Sequence, residues 1–517
     1  MTVGQALEDS LGDLAAAAYD RLGCPETLIS VVGSGVIGGG KEYEREPCVA
    51  LLAGTLPEGT VARSFEFGLR ADGVGGVYDE AKWAETAEIF RNVTRADAAA
   101  TNGPAFFAFA DPAAPVLEAK AFLDECAPKS IVVGGLTCPT KAGVPTIALR
   151  DRLLAPGTVA GVALRGPRLA VHSLTAQGAT PLGPVFKVTK GSNNLVTELD
   201  NKPALAQVQR VANAAVKAYP RLARLLKTSL LVGLAVDKKK QRQEPDEEEE
   251  GKNTQGPQAT GKTFGSGDPA PQKNVASTTA SSSSETTKRQ KEARFISSLS
   301  KSPSGKKDDG DDTRAQARRR RRYFEEENDD FLVRTVIGAT ADGAIAIGDN
   351  TVSTATRLRL HVRDGQAARE DLDAQIRRYS LERSISGFAS TKPAAVFLVS
   401  CNGRGKHMYG LPNYEVDVFS SLEYSPKQHD VDHDDDDFTN VSDFSDIPQG
   451  PLVPVAGFFA NGELGPIGAR IPADTNSNNV DTHLHGFTSV VAFIYDTGSF
   501  LPQHQDQLQQ QNPASVA

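Results

Sequence analysis

The sequence predicts an α/β (α+β) protein: two layered α/β sandwich domains with mixed sheets, interrupted by a long disordered insertion. Three observations carry this prediction. Short apolar runs rich in Val, Ile and Phe, such as Phe106 to Asp111 and Ser130 to Gly135, alternate with helical stretches and are bounded by glycine and proline. From Lys238 to about Asn328 apolar residues almost vanish. After Asp330 the strand-like runs resume. The expected limits are a first folded region over 1–236, the insertion over 237–329, a second folded region over 330–496 with an acidic loop at 425–450, and a disordered tail over 497–517.

Composition narrows the class. A chain of 517 residues is long enough for several sizeable cores, and an apolar fraction of 39% fits a globular protein carrying disordered insertions. A net charge of −9 gives no overall pull toward nucleic acid or an anionic membrane. The five cysteines are scattered and lack CxxC spacing, which reads as a reduced, intracellular chain without a disulfide framework or zinc finger. No apolar run approaches the length of a membrane span, and the acidic start does not resemble a secretory leader. The expected location is cytoplasmic. The five-arginine block Arg318–Arg322 adds a nuclear address as the alternative.

Taken in order, Ala6, Leu7, Leu11, Leu14, Ala15 and Ala18 fall on one stripe of a helix expected over Val3 to Leu22. Leu28 to Gly33 reads as a strand. The glycines from Gly33 to Gly40 resemble a phosphate loop, but a charged segment and another strand (CVALLAGTL) follow where the nucleotide fingerprint needs a helix. A tight strand-to-strand connection is the better reading. Strands follow at Phe106 to Asp111, Ser130 to Gly135 and Gly157 to Gly166, with helices around Asp79 to Ile89 and Val116 to Cys126. Two turns are expected next, at Gly183-Pro184 and at Gly191 to Asn194. Pro203 then opens a helix running to about Tyr219. Ser229 to Asp237 is a buried strand.

The insertion carries an acidic block, a serine run and the arginine block, a composition that cannot offset the entropy of ordering. The folded pattern then returns as FLVRTVIG, a turn at Asp342-Gly343, AIAIGD, and RLRLHVRD (Arg357 to Asp364). The polar–apolar alternation of RLRLHVRD predicts one wet face. A helix covers Ala367 to Tyr379 and a strand Ala394 to Cys401. The acidic loop holds His429, His433 and Asp434 to Asp437, a loose divalent-cation composition that reads more simply as a solvated loop.

The stretch from Pro454 to Tyr495 concentrates polar residues between apolar strands. Asn461, Glu463, His485 and Thr488 stand in glycine-punctuated turns, and Cys401, Asn402 and Arg404 follow the end of the preceding strand. In an open α/β sheet, ligands favour the carboxyl ends of strands. Arg404 could hold an anionic group bidentately, and Glu463 a cationic one, so the two together suit a zwitterion. The structural alternatives are a buried Cys401, an Arg404 ion pair within the fold, and a hydrogen-bonded Glu463. A nucleophilic Cys401 would need a base, with His407, His483 and His485 as candidates, and none stands at a characteristic spacing. The His483–His485 pair has no evident third ligand, so no metal and no cofactor is expected.

Eleven pieces in one order resemble the FIST family (F-box and intracellular signal transduction proteins). They are GSGVIGGGKEYE, FADP, IVVGGLTC, GTVAGVALRG, AQGATPLGPVFKVTKG with ELDNKPAL, DFLVRTVIG, LHVRD, SCNGRG, and GFFANGELGPIG with HLHGFTSVV. The resemblance implies a FIST N-terminal domain over 1–236, running into the start of a FIST C-terminal domain that fills 330–496. Together they would act as a non-enzymatic sensor of a small ligand, here an anionic or zwitterionic metabolite such as an amino acid. Three departures accompany it. The strand that usually precedes the GxGVIGGG piece is missing or shortened. Gln177 to Gly183 lacks the cysteine and arginine of a QGCRPIG-like segment. No F-box pattern precedes Leu28. The competing readings are a protein-interaction module related to the substrate-receiving part of ubiquitin-ligase F-box receptors, with partners in that pathway, and an enzyme using Cys401. Neither a nucleic acid nor a membrane is an expected partner.

Overall fold

The computed structural model describes residues 1–70, 77–95, 103–236, 330–388, 391–421, 453–471 and 481–500. The expected insertion with its arginine block, the acidic loop with His429 and His433, and nearly all of the tail lie outside the described residues.

Among the described residues four sheets are formed, and three mix strands from both sides of the insertion. One runs Val61–Gly68, Thr158–Arg165, Ala105–Ala110, Ile131–Leu136, Glu463–Gly465, His483–His485. A second runs Ala469–Arg470, Leu169–Gln177, Thr488–Asp496, Ala395–Cys401, Val455–Ala460, Gly35–Gly38, Lys41–Glu44. These two sheets face each other. Phe107, Phe109 and Val133 of one meet Val399, Phe458 and Val490 of the other in a shared apolar layer. The helices Glu80–Arg95 and Val116–Cys126 cover the outer face of the first sheet. Gly365–Ile385 and Tyr414–Ser421 cover that of the second. The result is helix, sheet, sheet, helix.

Period-2 alternation explains why FFAFA is apolar throughout. Phe107 and Phe109 point into the inter-sheet layer, while Phe106 and Ala108 point at the helices. The FADP piece also has a structural cause. Buried Asp111 accepts from Gly157 N at 3.0 Å, Ala113 N at 2.9 Å and Thr146 Oγ1 at 2.8 Å, joining three chain segments beside the strand end.

A third sheet (Ala179–Ser192, Arg357–Arg363, Leu230–Ala235, Phe331–Ala339, Ile345–Ile347, Leu195–Leu199, Lys202–Pro203) packs on the helices Ala204–Ala218 and Leu222–Thr228. The break at 236/330 falls between two of its neighbouring strands. Ala235 pairs with Phe331, and Val236 N donates to Asp330 O at 2.9 Å. The fourth sheet is drawn entirely from residues 2–153.

Several expectations are corrected. The opening strand is not missing but short: the three residues Thr2–Gly4 lie parallel to Ile29–Gly33, with Val3 opposite Val32, so the helix proper spans only Leu11–Arg21 after a 3-10 turn. Pairing in the sheet outweighs the helical periodicity of Val3 to Leu7. The strand expected over CVALLAGTL is limited to Val49–Ala50. The turn expected at Gly183-Pro184 is a bulge inside one long strand, with Gly183 at φ 65°. RLRLHVRD has no wet face. It is a central strand in which Arg359 donates to Gly183 O at 2.9 Å and burial holds the His361 pKa down to about 4. The glycine run does form a tight connection: Gly35–Gly38 and Lys41–Glu44 are joined through Gly39 (φ 60°) and Gly40 (φ 76°), the signature of a two-residue hairpin loop.

Candidate functional site

The parallel strands Ala395–Cys401 and Val455–Ala460 end side by side, with Cys401 opposite Ala460. Their carboxyl ends therefore deliver Asn402 and Asn461 to one place. Asn402 N donates to Ala460 O at 2.8 Å, and the Asn402 amide reaches Asn461 Oδ1 at 3.4 Å. Two loops from the first half of the chain come to the same edge. Ser34, where the chain passes from one sheet to another, donates from N (2.9 Å) and Oγ (3.2 Å) to Phe459 O. Cys138 Sγ lies 3.4 Å from the same carbonyl oxygen. Asn461 N donates to Leu136 O at 3.1 Å.

These loops wall a cleft of ≈ 530 Å³, whose polar lining includes Ser34, Glu44, Arg45, Asn402 and Asn461. That volume suits a small molecule. Both signs of charge are present in the lining. Arg45, held at φ 60°, is exposed, while Glu44 is half-buried and accepts from Lys406 N at 2.7 Å through Oε1 only. Glu8 fixes one wall by accepting from Thr140 N at 2.6 Å and from the Thr140 hydroxyl. A second cleft of ≈ 550 Å³ at Gly38 to Gly40 is lined mainly by Val, Leu, Ala and Pro.

Of the seven residues singled out from sequence, Asn402 and Asn461 line the cleft and the other five are buried beside it. Arg404 is 1% exposed and its carboxylate partner is Glu415, at 2.7 Å from Nε. Arg404 also donates to the Tyr409 hydroxyl and, at 3.1 Å, to Phe487 O. Burial alone would pull its pKa down, but the Glu415 charge more than offsets this. Glu415 in turn accepts from Tyr409 (2.7 Å), Ser400 (2.6 Å) and Ser489 (2.6 Å). Burial opposes its ionisation, yet Arg404 and these donors hold its pKa below the ordinary value.

Glu463 is fully buried and accepts from Thr488 N at 3.2 Å and Thr488 Oγ1 at 2.7 Å through one oxygen, with the Cys401 thiol beside the carboxyl. Burial raises its pKa to about 8, so it is protonated at neutral pH. Burial and the neighbouring Glu463 push the Cys401 thiol up to about 12, the reverse of an activated nucleophile. Burial holds His485 near 3, with Nε2 3.0 Å from Gly465 O. No group of three or more His, Cys, Asp or Glu side chains suited to a metal ion occurs among the described residues. No helix among them is long and apolar enough to cross a membrane.

Nothing in the sequence marked Ser34, Glu44, Arg45 or Cys138 as neighbours of Asn402. Each comes from the first 140 residues, and only the mixing of strands between sheets brings them together. The one available sign was that GSGVIGGGKEYE, which contains Ser34 and Glu44, and IVVGGLTC, which ends in Cys138, are glycine-rich pieces.

Comparison with known proteins places these elements in a wider set. The model of the FIST N domain matches residues 4–202 and that of the FIST C domain residues 289–429. The uncharacterized protein Rv0628c of Mycobacterium tuberculosis (strain H37Rv) is 24% identical over 489 residues, covering 94% of this chain and 88% of that protein. The uncharacterized protein Mb0898c of Mycobacterium bovis is 22% identical over 493 residues, covering 95% and 89%.

Proposed function

The chain belongs to the FIST family, whose domains serve as sensory domains in signal transduction, and from that premise we propose that it senses a small zwitterionic ligand, an amino acid, in the cleft at Asn402 and Asn461. The observation that carries this reading is the convergence on one cleft of loops from both halves of the chain, with a guanidinium (Arg45), a carboxylate (Glu44) and two side-chain amides in its lining. A ligand carboxylate would meet Arg45, its ammonium group Glu44, and the amides would fix its orientation. In this reading Cys401, Arg404, Glu463, His485 and Thr488 act as positioning residues. They hold the two strand ends and the following turn so that the asparagines face the cleft.

The test is a thermal-shift panel of the twenty amino acids, each with its amide and its N-acetyl derivative. A cognate ligand at about 100 times its dissociation constant adds about 2.7 kcal/mol of stability. One amino acid should raise the melting temperature, and both of its charge-deleted derivatives should fail to do so. Arg45→Gln and Asn461→Ala should abolish the shift without lowering the melting temperature of the free protein. No shift with any amino acid, or a shift that survives both substitutions, contradicts the reading.

A further inference from the structure

The glycine-flanked loop after Cys401 holds two guanidinium groups in contrasting states. Arg404 is neutralised by Glu415. Arg363, at the end of the Arg357–Arg363 strand, is half-buried and has neither a carboxylate nor a hydrogen-bond acceptor among the described residues. Its surroundings are nevertheless built. One side lies against Gly403, where an added Cβ would stand 2.8 Å from Nη1 and 2.9 Å from Nη2, so only glycine lets the backbone come so close. On another side its Cζ lies 5.7 Å from the centre of the Phe487 ring.

Phe487 is itself held against its preference. Its φ of 65° is left-handed, a conformation that a bulky residue adopts only when its surroundings impose it. Four contacts keep it there. Phe487 O accepts from Arg404 Nη1 at 3.1 Å and from Gly178 N at 3.2 Å. The next residue, Thr488, donates its N–H and hydroxyl to Glu463. The Cys401 sulfur receives the Phe487 and Gly403 amides. Buried groups from three separate segments thus fix one strained turn whose ring faces Arg363. Burial and the nearby Arg404 charge also lower the Arg363 pKa, as expected for a cation lacking a counter-charge.

We propose that Arg363, walled by the Phe487 ring and the Gly403 peptide, anchors an oxyanion-binding site that takes the carboxylate or phosphate group of a small molecule. This goes beyond the amino-acid cleft, because Arg363 does not line it. A planar guanidinium can present paired N–H donors to two oxygens of a single group.

The experiment is arginine modification by phenylglyoxal on the full chain, mapped by peptide mass, with inorganic phosphate, acetate, or chloride at matched ionic strength. Arg363 should react in the folded protein while Arg404 does not. Phosphate or acetate should slow the Arg363 reaction by about tenfold, and chloride should not. Protection by phosphate alone assigns a phosphate ligand, and protection by acetate alone a carboxylate. An unreactive Arg363, or equal rates in all three salts, overturns the proposal. Calorimetric titration of the protecting anion into Arg363→Lys should show affinity at least about tenfold weaker, because the ammonium keeps the charge but loses the fork. Undiminished affinity in a folded Arg363→Lys protein would also overturn it. None of these readouts depends on an amino acid binding the cleft.

Discussion

The most consequential residues for stability are buried charges that sequence alone could not pair. An arginine between two glycines after a strand looks like a ligand contact. Its true partner, Glu415, sits in the helix Tyr414–Ser421 and gives no local sign of burial. Arg404→Ala should therefore cost about 3–5 kcal/mol, because Glu415 would be left charged and unpaired in the interior, and denaturant melts would read this directly. Arg363 was illegible for the opposite reason: the alternation of RLRLHVRD looks like a solvent face, whereas strands flank it on both sides, Phe331 packs on His361 and Phe487 on Arg363. Two carboxyls draw stability down as pH rises above neutral. Glu42, which accepts from Glu415 N and Val416 N, and Glu463 both have pKa values raised to about 8, chiefly by burial. Between about pH 6.5 and 8 these two carboxyls hold protons in the folded state that the unfolded state has lost, so their contribution to stability falls as pH rises through 8; below pH 6.5 the buried neutral His361 and His485 act in the opposite sense, since they must stay unprotonated to fold. Glu463→Gln should flatten this slope and raise the melting temperature at pH 8.5 relative to wild type; an unchanged slope would mean that Glu463 is ionised in the native protein.

Elements were far more legible than residues. The strands at 105–110, 131–136, 158–165, 395–401 and 455–460 are readable because sheets covered on both faces demand continuous apolar runs. What failed was short or irregular. Thr2–Gly4 is a strand only because the Ile29–Gly33 strand lies beside it, and Gly183-Pro184 bends a strand that the next sheet neighbour keeps continuous. Close approach between strands makes certain glycines irreplaceable. A Cβ at Gly457 would stand 1.7 Å from Leu398 O, a neighbouring backbone atom that cannot yield, so Gly457→Ala should give insoluble protein or a severely lowered melting temperature. The reverse holds at the insertion. Because Val236 and Asp330 are already hydrogen-bonded across a strand pair, replacing residues 238–328 with a short Asn-Gly-containing loop should leave the melting temperature nearly unchanged. Aggregation of that deletion would show that the segment packs on the fold.

On the scale of the whole molecule, the two halves of the chain are interleaved. Leu169–Gln177 pairs with Thr488–Asp496, and Glu463–Gly465 pairs with Ile131–Leu136. Compositional breaks divide the sequence cleanly, yet register between strands hundreds of residues apart leaves no local trace, so the site between Ser34, Cys138, Asn402 and Asn461 could not be drawn in advance. A ligand there would touch both halves at once, which gives a sensor a way to change the coupling between them. The most direct test is hydrogen–deuterium exchange of the full chain with and without the amino acid that gives the largest thermal shift. The account predicts that protection increases together in peptides containing residues 34–45, 137–140, 402–405 and 459–462. Protection confined to one half of the chain, or absent from all four segments while the melting temperature rises, would contradict it.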